Sequence, residues 1–235
     1  MKRLFLVGLM VTLFSLSLSV RANESRSLVY TTANVNMRET PQVLDNVLTT
    51  VKTGTQVELN TVIVEQGTMW AFVTIGDTSG YIRSDYLSSE EPPRDISINS
   101  KTQFKSYMSY SVISRSSQQG KLQQLAETEA NGLRTVDGYY TIAVGSGCNV
   151  SIGQRVDVCL QSGVIIPCCV GDIKADKDTD ERNLVTSNGC ATEFIVDTST
   201  LPRFVKTMGD VSYLDSLWLS PVQTIKVYNE FLLEE

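Results

Sequence analysis

Apolar residues in this chain come in short alternating runs that turn residues keep interrupting, a pattern that leaves room for little besides β-structure. From Leu28 to Leu87 the runs are Ser27 to Tyr30, Val47 to Val51, Gln56 to Val64, Trp70 to Ile75 and Gly80 to Ile82. Thr40-Pro41, Thr53-Gly54, Gln66-Gly67 and Gly76-Asp77 stand between them. Five short strands within about 60 residues predict a small β-barrel. Ser88 to Asp95 then loses all apolar content and carries Pro92-Pro93, which reads as a linker. After Asp137-Gly138 the pattern returns in Tyr139 to Val144, Arg155 to Leu160, Val164 to Val170, Phe194 to Val196 and Thr224 to Tyr228, with glycines at the corners. These runs predict a second, larger barrel or sandwich, so the fold class is mainly β. Helical spacing is confined to Lys121 to Leu133, where Leu122, Leu125, Ala126 and Ala130 recur and Gly132 offers a stop, and to Leu201 to Met208. Residues 96–118 show mixed periodicity and support no assignment.

The chain contains no histidine. Ser-His-Asp hydrolases, Cys-His peptidases and amidases, and zinc hydrolases with His ligands are thereby excluded unless another chain supplies an imidazole. Any chemistry rests on carboxylates, Tyr, Lys, Cys or the substrate itself.

Met1-Lys2-Arg3, the apolar run Leu4 to Val20 and the short residues around Ala22 read as a secretory signal peptide over residues 1–22. An uncleaved anchor is the alternative, although the run is short for a membrane span. Removing residues 1–22 takes away three basic side chains and no acidic one, so the formal net charge falls from −6 to −9. Such an acidic surface repels phosphate backbones and anionic lipid, which argues against nucleic acid as a partner. The five cysteines are Cys148, Cys159, Cys168, Cys169 and Cys190. They read either as small buried apolar residues on strands or as up to two disulfides with one thiol left over. No spaced Cys-x-x-Cys pair and no histidine support a metal site, and no imidazole is present to lower a thiol's pKa. No cofactor and no metal are expected.

Asn34-Val35-Asn36-Met37-Arg38-Glu39-Thr40-Pro41 resembles the "LNVRSGPS" opening of bacterial SH3-like domains. The turn at Lys52-Thr53-Gly54-Thr55, the lone Trp70 and the closing Gly80-Tyr81-Ile82-Arg83-Ser84-Asp85-Tyr86-Leu87 match that family's further landmarks in order. The resemblance covers nearly all of residues 27–88. It implies a module that holds its protein on peptidoglycan or another cell-wall polymer, without catalysis of its own. Trp70, Tyr81 and Tyr86 are the candidate binding residues, offering flat faces to a sugar or peptide stem. The competing reading places Trp70 in the small barrel's core.

Carboxylates concentrate between Gly171 and Glu181, and Glu193 and Asp197 bracket the next apolar run. Asp176, Asp178 and Asp180 occupy the alternating positions that open an EF-hand loop, but Glu181 stands where that loop needs Gly and Ser187 where it needs a bidentate Glu. A solvated loop is the plainer reading. Beyond the residues themselves, Ala143 to Gly147, Ile152 to Val158, Gly163 to Pro167, Val170-Gly171-Asp172 and Glu193 to Asp197 stand in an order that resembles the three-aspartate domain of bacterial cell-wall proteins. That domain is a double-psi β-barrel related to the catalytic barrel of one class of lytic transglycosylases. The resemblance implies Asp172 and Asp197 as two of its aspartates and Asp176 as the third. The family's glycine-rich "GGAIKG" stretch is absent, and Lys174-Ala175-Asp176 stands in its place. The implied mechanism suits a chain without histidine: one aspartic acid protonates the leaving oxygen, and the sugar's own C6 hydroxyl is the nucleophile. Asp172 would serve as acid/base, with Asp197 holding its protonation. The competing reading has both aspartates capping turns.

The expected organisation is a signal peptide at 1–22, an SH3-like cell-wall-binding domain at 27–88, a linker at 89–100 and a double-psi-like domain at 101–235. Two function classes follow. One is a secreted bacterial cell-envelope protein that binds peptidoglycan and cleaves its glycan in the manner of a lytic transglycosylase. The other is a non-catalytic wall-binding or structural protein.

Overall fold

The computed structural model describes residues 27–233, so the expected signal peptide lies outside the described residues. The fold is mainly β and barrel-like, with two short α-helices among the described residues. Two sheets divide the chain.

The first sheet holds β1 (Ser27–Thr31), β2 (Val35–Arg38), β3 (Val47–Val51), β4 (Gln56–Glu65), β5 (Thr68–Ile75), β6 (Thr78–Arg83) and β7 (Leu87–Ser88). Their order is β3-β2-β6-β5-β4-β1-β7, with every pairing antiparallel. The five expected runs all form strands. β2 and β7 are additional, because their alternation is half hidden by Asn36 and by the shortness of Leu87–Ser88. Val29, Val35, Met37, Val51, Val57, Ala71, Val73 and Ile82 fill the core. Trp70 is not among them. It precedes the core residue Ala71 on β5 and, by the period of two, points to the opposite face, where its register partner is Arg83.

The second sheet holds β8 (Arg94–Ser97), β9 (Ser106–Ser109), β10 (Glu127–Thr128), β11 (Arg134–Val136), β12 (Tyr139–Gly145), β13 (Gln154–Leu160), β14 (Ile165–Lys174), β15 (Glu193–Val196) and β16 (Val222–Phe231). The order β10-β11-β12-β14-β13-β16-β8 is extended by β15, which pairs with both β12 and β9. Two pairings, β12 with β14 and β15 with β9, are parallel and require long crossovers. β12 is central: β14 lies on one edge, and β11 and then β15 lie along the other. Ile142, Val144, Val156, Val158, Val170, Phe194 and Ile225 are fully buried in its core. The Phe194 and Trp218 rings stack there with centroids 5.2 Å apart.

Two segments differ from expectation. Helix α1 runs over Gln118–Leu125, capped by Ser117, whose Oγ accepts from the Gly120 amide at 3.1 Å. It does not reach Leu133, because Ala126 turns extended (ψ 141°) and Glu127–Thr128 pairs with Arg134–Thr135 as a hairpin. Gly132, φ +88°, serves that hairpin's turn and does not end a helix. The segment expected as linker, 89–100, contributes Arg94–Ser97 as an edge strand against β16, and Arg94 Nη2 donates to the carbonyls of Cys148 (3.0 Å) and Asn149 (2.9 Å). Helix α2 occupies Arg203–Met208, close to the expected position. All five cysteines are free, and all but Cys159 are buried, which is the packing reading of the two offered.

Candidate functional site

Asp172 lies on β14 just after Gly171, at a register shift, and pairs with Ala143 of β12. A Cβ on Gly171 would stand 2.4 Å from Ile195 Cδ1, the tip of a side chain that would have to turn aside. Asp172 Oδ1 accepts from its neighbour's amide, Ile173 N, at 2.9 Å and from Gln119 Nε2 of α1 at 3.2 Å. The carboxylate therefore turns towards the helix.

Asp197 stands far from it. Glu193, not Asp197, pairs with Ala143 from the other side, so Asp172 and Glu193 share one face of the sheet two strand spacings, or about 10 Å, apart. Asp197 comes four residues after Glu193, about 13 Å along the strand direction. β15 runs antiparallel to β12 and β14 runs parallel to it, so Asp197 and Asp176 lie towards opposite ends of the sheet. The three aspartates do not converge, and the expected role of Asp197 beside Asp172 has no geometric basis. Asp197 instead accepts from Ser199 Oγ (2.6 Å) and Ser199 N (2.9 Å), and these bonds hold its carboxyl below the usual carboxylate range. It caps a turn. Asp176 Oδ1 accepts from Ser146 Oγ.

The acidic loop is likewise held by its own backbone. Asp180 Oδ1 accepts from Leu184 N (2.8 Å) and Val185 N (3.2 Å), and these amides, with Arg182, lower its carboxyl. Among the described residues no three acidic or cysteine side chains gather as a metal site, and the EF-hand-like spacing forms a turn. The loop walls a broad groove of about 890 Å3 whose other side is built from Ile98–Lys101, Ser106 and Glu193.

A smaller hollow lies on the first sheet. Trp70 and Tyr86 line one hollow of about 280 Å3 together with Asn34, Asn36, Arg38, Val43 and Arg83. Trp70 is only 3% exposed, so it forms the floor and offers no open face. Arg38 Nη1 is fixed by the Leu44 carbonyl (2.6 Å) and Asn46 Oδ1 (3.1 Å). Arg83 is held by both Asp85 oxygens (3.1 and 2.5 Å) and lies 5.4 Å above the Tyr86 ring. Tyr81, the third candidate, packs on Phe72 with ring centroids 5.0 Å apart and does not line the hollow. Sequence reasoning picked the aromatic residues and passed over Arg38 and Arg83, although both stand inside the quoted motifs.

Comparison with known proteins adds no relative: no family model, no curated protein and no solved structure matches the chain.

Proposed function

We propose that this chain is a secreted bacterial cell-envelope protein that binds peptidoglycan through the cleft of its N-terminal barrel. We also propose that Asp172, Asp197 and Asp176 of the C-terminal barrel cleave no glycan. The observation that carries the first half is the joining of Trp70 and Tyr86 with two fixed guanidiniums and two asparagines in one hollow, on the face of β5 opposite the core. Pre-set polar groups around a few aromatic side chains are the usual make-up of a small-ligand site. The resemblance of residues 27–88 to SH3-like domains points to the wall polymer as the ligand. The second half rests on the spread of the aspartates: Asp172 Oδ1 is bonded to the Gln119 amide side chain, and neither Asp176 nor Asp197 stands beside it to share acid/base work.

Sedimentation with purified sacculi tests the binding. Tyr86→Ala and Arg83→Ala are each expected to weaken it about tenfold, or about 1.4 kcal/mol. Unchanged binding in both variants would remove the cleft from the reading. Incubation of residues 23–235 with sacculi is expected to release no anhydro-sugar ends. Release that disappears in Asp172→Asn would restore the lytic transglycosylase.

A further inference from the structure

We propose that Lys174 and Cys190 become covalently joined through one oxygen atom, as Sγ–O–Nζ, when the protein is exposed to dioxygen. Wall binding plays no part in this step. Lys174 Nζ lies 3.9 Å from Cys190 Sγ and donates to the Cys190 carbonyl at 3.2 Å, so amine and sulfur face each other. Both residues are buried, Lys174 at 9% and Cys190 at 1% exposure. Lys174 is the register partner of Gly145 at the end of β12.

The sulfur is fixed from three sides. Ser106 N and Ser106 Oγ each approach it at 3.2 Å, and it donates to the Thr192 carbonyl at 2.9 Å. The other sulfurs with a polar contact, Cys159 and Cys168, meet backbone carbonyls and no amine. Burial pushes the thiols of Cys148 and Cys169 up to about 11 and about 12, which keeps them from ionising. Cys190 is the thiol that Lys174 Nζ contacts; Lys174 acts on Cys148 only through its charge.

The reaction takes one cysteine thiol, one neutral lysine amine and one molecule of dioxygen, and gives the linked Cys–S–O–NH–Lys pair and one molecule of water. One S–H bond, one N–H bond and the O=O bond break, and S–O, O–N and two O–H bonds form. Sulfur and nitrogen each give up two electrons and dioxygen takes four, with its second oxygen leaving as water. The ammonium first releases its proton to solvent. Oxidised sulfur is ordinarily captured by the nearest nucleophile or carried further up the oxidation ladder. Here that nucleophile is the buried lysine amine.

Peptide mapping of the whole chain tests this. In protein kept in air-saturated buffer, trypsin is expected to stop cutting after Lys174. Residues 156–177 should then appear linked to residues 183–203, the pair about 14 Da heavier than the two peptides summed, one oxygen gained and two hydrogens lost. A thiol reductant should restore cleavage after Lys174. Lys174→Arg keeps the positive charge and should give no link. A Cys190 peptide that stays unlinked after the same exposure would overturn the proposal, as would a pair about 2 Da lighter, which denotes a direct S–N bond.

Discussion

Replacing Lys105 by alanine is expected to lower the stability of the C-terminal barrel by about 4 kcal/mol. The side chain is completely buried, and its ammonium donates to three backbone carbonyls: Trp218 (2.8 Å), Gln103 (2.9 Å) and Ser220 (3.0 Å). Its own amide donates to Asp210 Oδ1 at 3.1 Å. Truncation leaves a cavity and three acceptors without a donor. Lys105→Met keeps most of the volume and should cost about 2 kcal/mol, the share of the unmet carbonyls. Urea unfolding followed at Trp218 measures both, and equal stability of wild type and Lys105→Ala would show that the carbonyls are met otherwise.

The same lysine sets a pH dependence. Burial pushes its amine from 10.5 down to about 8, against the opposing pull of Asp210 and Cys190. The unfolded chain therefore binds more protons than the native one between pH 8 and 10.5, and native stability rises with pH across that window. The cost of holding the charge inside, about 3 kcal/mol, is fully present below pH 8. The urea midpoint of wild type should climb from about pH 8 to about pH 10 relative to that of Lys105→Met. A constant difference between the two would mean that the buried amine titrates at its ordinary value.

Gly145→Ala should have an effect of similar size by a different route. The backbone there is ordinary, φ −69°, so alanine is not strained by conformation. Its Cβ would lie 1.9 Å from the Asn183 carbonyl oxygen and 2.7 Å from the carbonyl carbon. Gly147 meets the Arg182 carbonyl in the same way, at 2.0 Å. The pair seats residues 182–184 directly on the end of β12. A methyl group must push that backbone away, at a cost of about 3 kcal/mol, or release the loop. Trypsin should then cut after Lys177 and Arg182 at least about tenfold faster, as expected for an opening equilibrium shifted by more than about 1.4 kcal/mol. Unaltered cleavage would mean that the loop is not anchored by this contact.

The apolar runs marked β4, β5, β13 and β14 correctly, although consecutive residues 156–158 of β13 and 168–171 of β14 are buried, so both faces of those two strands are covered. It missed β8 and β9, whose residues are mostly polar and whose pairing is set by β16 and β15 from far along the chain. The helical reading overran α1 because Ala126 and Ala130 fit the spacing while Glu127–Thr128 had a hairpin partner that no local pattern reveals. The aspartates show the limit most clearly. Their order along the chain was visible, but whether Asp197 meets Asp172 depends on β15 running antiparallel to β12, which only the crossovers decide. Trp70 shows the same limit. That it lies behind the core instead of within it follows from the register of β5, which places Ala71 and Val73 inside.

The short strand β8 also gives the molecule a mechanical property. It is where the chain from the first sheet joins the second, and its four residues lie antiparallel along Thr224–Val227 of β16. If the N-terminal barrel is tethered and the rest is dragged by flow or growth, tension enters at Arg94 and runs along the axis of that strand. Ladder bonds perpendicular to the pull share such a load instead of opening one at a time. The Arg94 guanidinium, clamped on the carbonyls of Cys148 and Asn149, is a second fastening at the point where the tension arrives. The junction between the two sheets is thus a lap joint under shear, with its rivet at the loaded end.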